Sequence, residues 1–102
     1  MDHAHDPIPE PPMHRVEATA EIFRAAGDPE RLRLLAILAD GERCVSELAQ
    51  GDNVSVVSQR LRVLRSVHLV RRRREGRHIY YSLADNHVEE LVRSALEHAD
   101  EA

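Results

Sequence analysis

The amino-acid sequence predicts an α+β, mainly helical fold, and three observations carry that prediction. Apolar residues recur at helical spacing through most of the chain, a stretch near residue 70 becomes β-rich around a Glu-Gly pair, and a second long helical run closes the chain. At 102 residues there is room for one small domain with a modest core. Apolar residues make up 42%, enough to fold, but with two Tyr, one Phe and no Trp the core falls to Leu, Val, Ala and Ile. A core that thin often gains stability from association. The single Cys44 excludes an intrachain disulfide. The start, MDHAHDPIPEPPMHR, lacks the apolar region of a secretion signal, and no run of 18 apolar residues occurs. The expectation is a soluble, cytoplasmic protein with no membrane contact.

Residues 1–14 carry four of the five prolines together with His3, His5 and His14, and predict a flexible arm ahead of a domain spanning 15–102. A first helix is expected from Arg15 to Ala26, with Val16, Ala20 and Phe23 at helical spacing. GDPERLRLLAIL then restarts the helix, with Asp28 as N-cap, Pro29 at the first helical position, and Leu32, Leu35 and Leu38 on one face. CVSELAQ predicts a short third helix with Val45, Leu48 and Ala49 inward. Ser55 is expected to cap a fourth, in which Val57, Leu61 and Leu64 share the buried stripe. LVRRRREGRHIYYSL predicts a hairpin with an arginine-rich tip, and Asp85 caps a last helix with Val88, Leu91, Val92, Ala95, Leu96 and Ala99 on a broad apolar face.

Three helices, a fourth after a tight turn, and a basic two-stranded wing make a winged helix-turn-helix. All 14 basic residues are arginine, and they are segregated: eight stand against one glutamate between Ser55 and His78, whereas six carboxylates stand against one arginine from Asp85 to Ala102. A basic middle beside an acidic end points to a polyanion-facing surface and a separate anionic one. On the outward side of the fourth helix, Ser55, Val56, Ser58, Gln59 and Arg62 offer a hydroxyl, an amide and a guanidinium for base edges; Arg73, Arg74 and Arg77 of the wing suit phosphates or the minor groove. The implied partner is double-stranded DNA. No glycine-rich phosphate loop or nucleophile elbow is present, so an enzyme is not expected.

The last helix has metal-capable side chains only at its ends. His87 and His98 are 11 residues apart, about 20° past three turns, so they share a face, but they stand about 16 Å apart along the axis. A zinc–nitrogen bond is about 2.0–2.1 Å, so one helix cannot close a site with both. Two copies packed antiparallel around a twofold axis can, bringing Asp85 and His87 of one beside His98 and Glu101 of the other. Two imidazoles and two carboxylates suit tetrahedral Zn(II). Other readings stay open: Ni(II) or Co(II) with His3, His5 and His14 as extra ligands, or a DNA-binding homodimer with no metal input.

The segments DPERLRLLAIL, CVSELAQ, VSQRLRVLR and LVRRRREGRHIYYSL, with the terminal D-x-H…H-x-x-E, resemble the arsenic-repressor/SmtB family of bacterial metal-sensing repressors from about Val16 to Glu101, and specifically its zinc-sensing subgroup. The resemblance implies a homodimer that binds operator DNA when metal-free and releases it when metal binds. It places the zinc ligands on Asp85, His87, His98 and Glu101, and a second metal site, found in many relatives, on Cys44 and Glu47. One sulfur cannot build a thiolate cluster, so Cys44 reads as a semi-buried structural residue in preference to a ligand. The stretch LAQGDNVSVVSQRL is about two residues shorter than the commoner turn of the family.

Overall fold

The computed structural model describes residues 4–102; Met1, Asp2 and His3 lie outside the described residues, and with them the His3 reading. Helix α1 (Met13–Ala26) begins two residues before the expected start, directly after Pro12, so His14 sits on a helix and not in the arm. Its apolar face also differs from expectation. Ala25 is buried with Ile22 and Ala26 packed against the core, whereas Val16 and Phe23 face solvent at 42% and 57% exposure. Helix α2 (Pro29–Leu38) starts as the sequence dictates: the Asp28 carboxylate accepts from the Arg31 amide at 3.0 Å and Pro29 opens the first turn. The Arg31 guanidinium reaches back to the Ala25 and Arg24 carbonyls at 2.7 and 3.3 Å, satisfying the open end of α1.

A two-residue strand, β1 (Arg43–Cys44), precedes α3 (Val45–Ala49) and was not foreseen; so short a strand carries no periodicity to read. Gln50 and Gly51, both at positive φ, turn the chain into α4 (Val54–Ser66). Ser55 is not its cap. The helix begins one residue earlier, and the Asn53 side chain accepts from the Ser55 amide at 2.8 Å, which leaves Ser55 exposed in the first turn. Asn is as good a cap as Ser, and it stands nearer the turn. Along α4 the stripe Val57, Leu61 and Leu64 is completely buried, against Leu34, Leu35 and Leu48.

Strands β2 (Val70–Glu75) and β3 (His78–Leu83) form the expected hairpin, closed by Gly76 and Arg77 with Gly76 at φ 61°. A positive φ at the first of two loop residues is a hairpin turn that glycine makes without strain. Antiparallel β1 adds to β3, giving the order β1-β3-β2. Helix α5 (Asn86–Glu101) is capped by Asp85, whose carboxylate accepts from Val88 N–H at 3.0 Å. Of its apolar face only Val88 and Val92 are buried; Leu91 and Leu96 remain 39% and 40% exposed. Among the described residues no polar side chain is buried, and no helix is long and apolar enough to cross a membrane.

Helix α4 ends in a Schellman motif. The His68 amide bonds the Arg65 carbonyl and the Leu69 amide bonds the Leu64 carbonyl, both at 3.0 Å, with His68 in the left-handed region at φ 61°. Leu64 and Leu69, both buried, supply the apolar contact that accompanies this cap. A side chain at such a position is strained, so His68→Gly should stabilise the fold by about 0.5–1 kcal/mol. A rise of a few degrees in the thermal midpoint at fixed protein concentration is the expected reading.

Candidate nucleic-acid interface and metal-ligand cluster

Burial of the α4 stripe turns Ser55, Val56, Gln59 and Arg62 to solvent, with Ser58 half-buried at the edge. Arg62 donates to the Gln59 side-chain oxygen at 3.2 Å, so amide and guanidinium are held as a pair on the exposed face. Val54 and Val56, 50% and 45% exposed, place apolar surface at the start of the helix beside these donors, a combination that suits thymine methyls and base edges in a major groove.

The wing arginines are not equivalent. Strand parity puts Arg72 and Arg74 opposite Tyr81 and Ile79, on the face that carries buried Val70, and puts Arg71 and Arg73 on the other. Arg73 departs from the expected phosphate contact. Its guanidinium donates to both Glu42 oxygens at 2.7 and 3.3 Å and to Glu75 at 2.6 Å, and it lies 4.6 Å from the centre of the Tyr80 ring. Two carboxylates neutralise it, and one of them lies 31 residues away in sequence. Arg74 bends back to the Gly76 carbonyl at 3.3 Å; Arg77 lines a cleft of about 260 Å³ with Ser46, Val54 and Ser58, where the wing meets the start of α4. Arg65 and Arg72, not singled out from the sequence, come together with Ser58 and Arg62 in a second cleft between α4 and the wing. The signal was present: Ser58, Arg62 and Arg65 fall at i, i+4 and i+7.

At the start of α5, Asp85 Oδ1 and His87 Nδ1 are 3.7 Å apart, so the first turn does bring this pair together, and the His87 side chain is 94% exposed. His98 and Glu101 lie exposed on the last turns. Among the described residues no three His, Cys, Asp or Glu side chains converge within the single chain. Cys44 and Glu47 meet in a capping box at the start of α3: the Glu47 carboxylate accepts from the Cys44 amide at 3.0 Å and the Cys44 side chain accepts from the Glu47 amide, while Cys44 Sγ also lies 3.0 Å from Ser46 Oγ. These bonds to Cys44 hold the Glu47 carboxyl below its ordinary value. His5 is exposed in the arm and His14 on α1.

A helix-turn-helix whose second helix turns a polar face outward beside an arginine-rich wing defines a DNA-binding regulator. Residues 28–72 match the model of the arsR family of bacterial regulatory proteins. The chain is 49% identical over 92 residues to the transcriptional repressor SmtB homolog of Synechocystis sp., covering 88% of this chain and 70% of that protein. It is 35% identical over 85 residues to the cadmium resistance transcriptional regulatory protein CadC homolog of Staphylococcus aureus, covering 80% and 70%. It is also similar to the solution structure of a homodimeric winged helix-turn-helix DNA-binding domain from Mycobacterium bovis, with a TM-score of 0.82, 35% identity and 87% and 84% of the two chains covered. The chain belongs to the ArsR/SmtB family. Members of this family regulate transcription and are not enzymes.

The Glu42–Arg73 pair gives a pH signature. Arg73 holds the Glu42 carboxyl below its ordinary value of 4.5, through its hydrogen bonds first and its charge second. A depressed carboxylate adds stability above its unfolded pKa and loses that contribution as pH falls through the folded one. The gap in thermal midpoint between the natural chain and Glu42→Gln should therefore be widest near neutrality and close as the pH drops below 4.5. A gap independent of pH would count against the pairing.

Proposed function

We propose that the protein is a metal-responsive transcriptional repressor: a metal-free homodimer binds operator DNA, and Zn(II) at the dimer interface causes release, derepressing genes for metal efflux or sequestration. One observation carries the reading. The α5 face bearing Leu91 and Leu96 is uncovered in the single chain, and the same helix bears an Asp–His pair at one end and a His–Glu pair at the other. A second copy packed antiparallel covers the apolar face and, by the same movement, sets Asp85 and His87 beside the partner's His98 and Glu101. The homodimeric M. bovis domain and the cadmium-resistance regulator support association and metal response as properties of such chains.

The donor set fits zinc. Two imidazoles and two carboxylates make a closed four-ligand site, all four residues are exposed, and Asp85 keeps its second oxygen free while the first caps α5. A bound zinc would supply a crosslink that fixes the relative geometry of two α5 helices. The chain's own residues carry the rest. Asp85 follows Ala84, whose amide donates to the Leu69 carbonyl at 3.0 Å, next to the cap of α4. In mid-helix, Arg93 donates to the Ala39 carbonyl at 2.7 Å, tying α5 to the end of α2. A change in α5 packing thus has a backbone route to the end of the reading helix and a side-chain route to the end of α2. The metal must favour the low-affinity state, and coupling of about 1–3 kcal/mol weakens operator binding about 5–150-fold.

His98→Ala should bind operator as the natural chain does and ignore zinc. Fluorescence anisotropy of labelled operator DNA, with and without the metal, reads both properties, and zinc-induced release by this variant would overturn the ligand assignment. The same titration with cobalt and nickel tests the other metals. Because α1 begins at Met13, the arm histidines are best removed by deleting residues 1–12 and adding His14→Ala; a response to nickel or cobalt lost only in that variant would give those ions the role assigned here to zinc.

A further inference from the structure

Between α4 and the wing lies a cleft of about 210 Å³ lined by Ser58, Arg62, Arg65, Arg72 and Tyr81, with Ile79 and Val45 completing the wall. Three arginines line it. Among the described residues none of them pairs with a carboxylate; the only side-chain partner of the three is Gln59, which accepts from Arg62 at 3.2 Å. The neighbouring cations behave differently. Arg73, one residue from Arg72 but on the other face of β2, is held by Glu42 and Glu75, and Arg60, on the far edge of α4, lies 3.8 Å from Glu30. Clustered cations without counter-charge repel one another, and an anion held among them would relieve that repulsion.

We infer that the cleft seats a single phosphate group, supplied by the backbone of bound duplex. Guanidinium forks match a phosphate's oxygens in pairs, and the Ser58 hydroxyl adds a further donor. The wall of Tyr81, which is 5% exposed, Ile79 and Val45 excludes water from one side and strengthens each charged hydrogen bond. The volume equals that of about seven waters, enough for a phosphate group with some of its hydration. Ser58, Arg62 and Arg65 border the reading face of α4, so the phosphate seated there belongs to the strand flanking the groove that α4 enters. Such a contact sets register and carries no sequence information. This inference rests on the DNA-binding reading above.

The test uses the full chain, a labelled operator duplex, a scrambled duplex of equal length and a salt series. Arg65→Gln and Arg72→Gln should each weaken binding to both duplexes by the same factor, about tenfold, and the double variant should flatten the slope of log affinity against log salt by no more than about 0.9, the share of one phosphate. Each single variant should flatten it by less, because the remaining guanidiniums still face that phosphate. Arg73→Gln should leave the slope unchanged. Thermal melts verify folding; where Arg72→Gln unfolds, Arg72→Lys replaces it and should keep the slope while losing affinity. An unchanged slope in the Arg65 and Arg72 variants, or an equal loss in Arg73→Gln, overturns the inference. If the natural chain binds neither duplex, the proposed function fails by itself, and millimolar inorganic phosphate at constant ionic strength decides the cleft. A thermal shift lost in the double variant then assigns the seat to a free anion, and equal shifts overturn it.

Discussion

Val57, Leu61 and Leu64 are completely withdrawn from water, and that single stripe fixes what α4 can present. A helix has one rotational setting that hides three such side chains together, and it turns the residues on the opposite side outward. Full burial of these groups contributes roughly 1.5–3 kcal/mol each, so rotating the helix to offer another face would cost several such terms. The polar face therefore follows from the core. The half-buried position of Ser58, the exposure of Gln59 and the clustering of Arg62 with Arg65 are all consequences of where the leucines point.

The same logic runs through the wing at a different period. Val70 is buried, so alternate residues along β2 share its side of the sheet, and Arg72 is carried toward α4 while Arg73 is carried away from it. An uninterrupted run of four arginines is thereby sorted into two chemical populations. One side meets Glu42, Glu75 and the Tyr80 ring; on the other, Arg72 lines a cleft with Ser58, Arg62 and Arg65, and Arg74 reaches the Gly76 carbonyl. Net charge conceals this division, because 18 carboxylates spread along the whole chain outnumber the 14 arginines.

Elements with strong local signals were legible in the sequence. Pro29 after Asp28, the α4 stripe, the turn at Gly76 and the Asp85 cap each depend on residues within a turn or two of one another, and the fold places them as expected. What escaped was either very short or non-local. Strand β1 exists only because β3 passes beside it, and the outward setting of Val16 and Phe23 reflects where the core happens to end. The Arg73–Glu42 pair joins positions that only folding makes neighbours. Helix starts shifted by one or two residues because Asn53 outcompeted Ser55 as a cap and because Pro12 ends the extended arm just ahead of Met13. At the candidate metal site, the donors and their spacing were legible, and a single chain supplies one Asp–His pair of the set.

The peptide bond between Leu69 and its neighbour carries more than connectivity. Its carbonyl receives the Ala84 amide, and its own residue's N–H closes the end of α4. One residue is thus shared by two couplings, like an axle joining two wheels: the segment that launches α5 and the terminus of the reading helix cannot slide past each other without breaking a bond at Leu69. The path from the root of α5 to the end of α4 through Leu69 thus runs along main chain alone, with no side-chain rotamer in between.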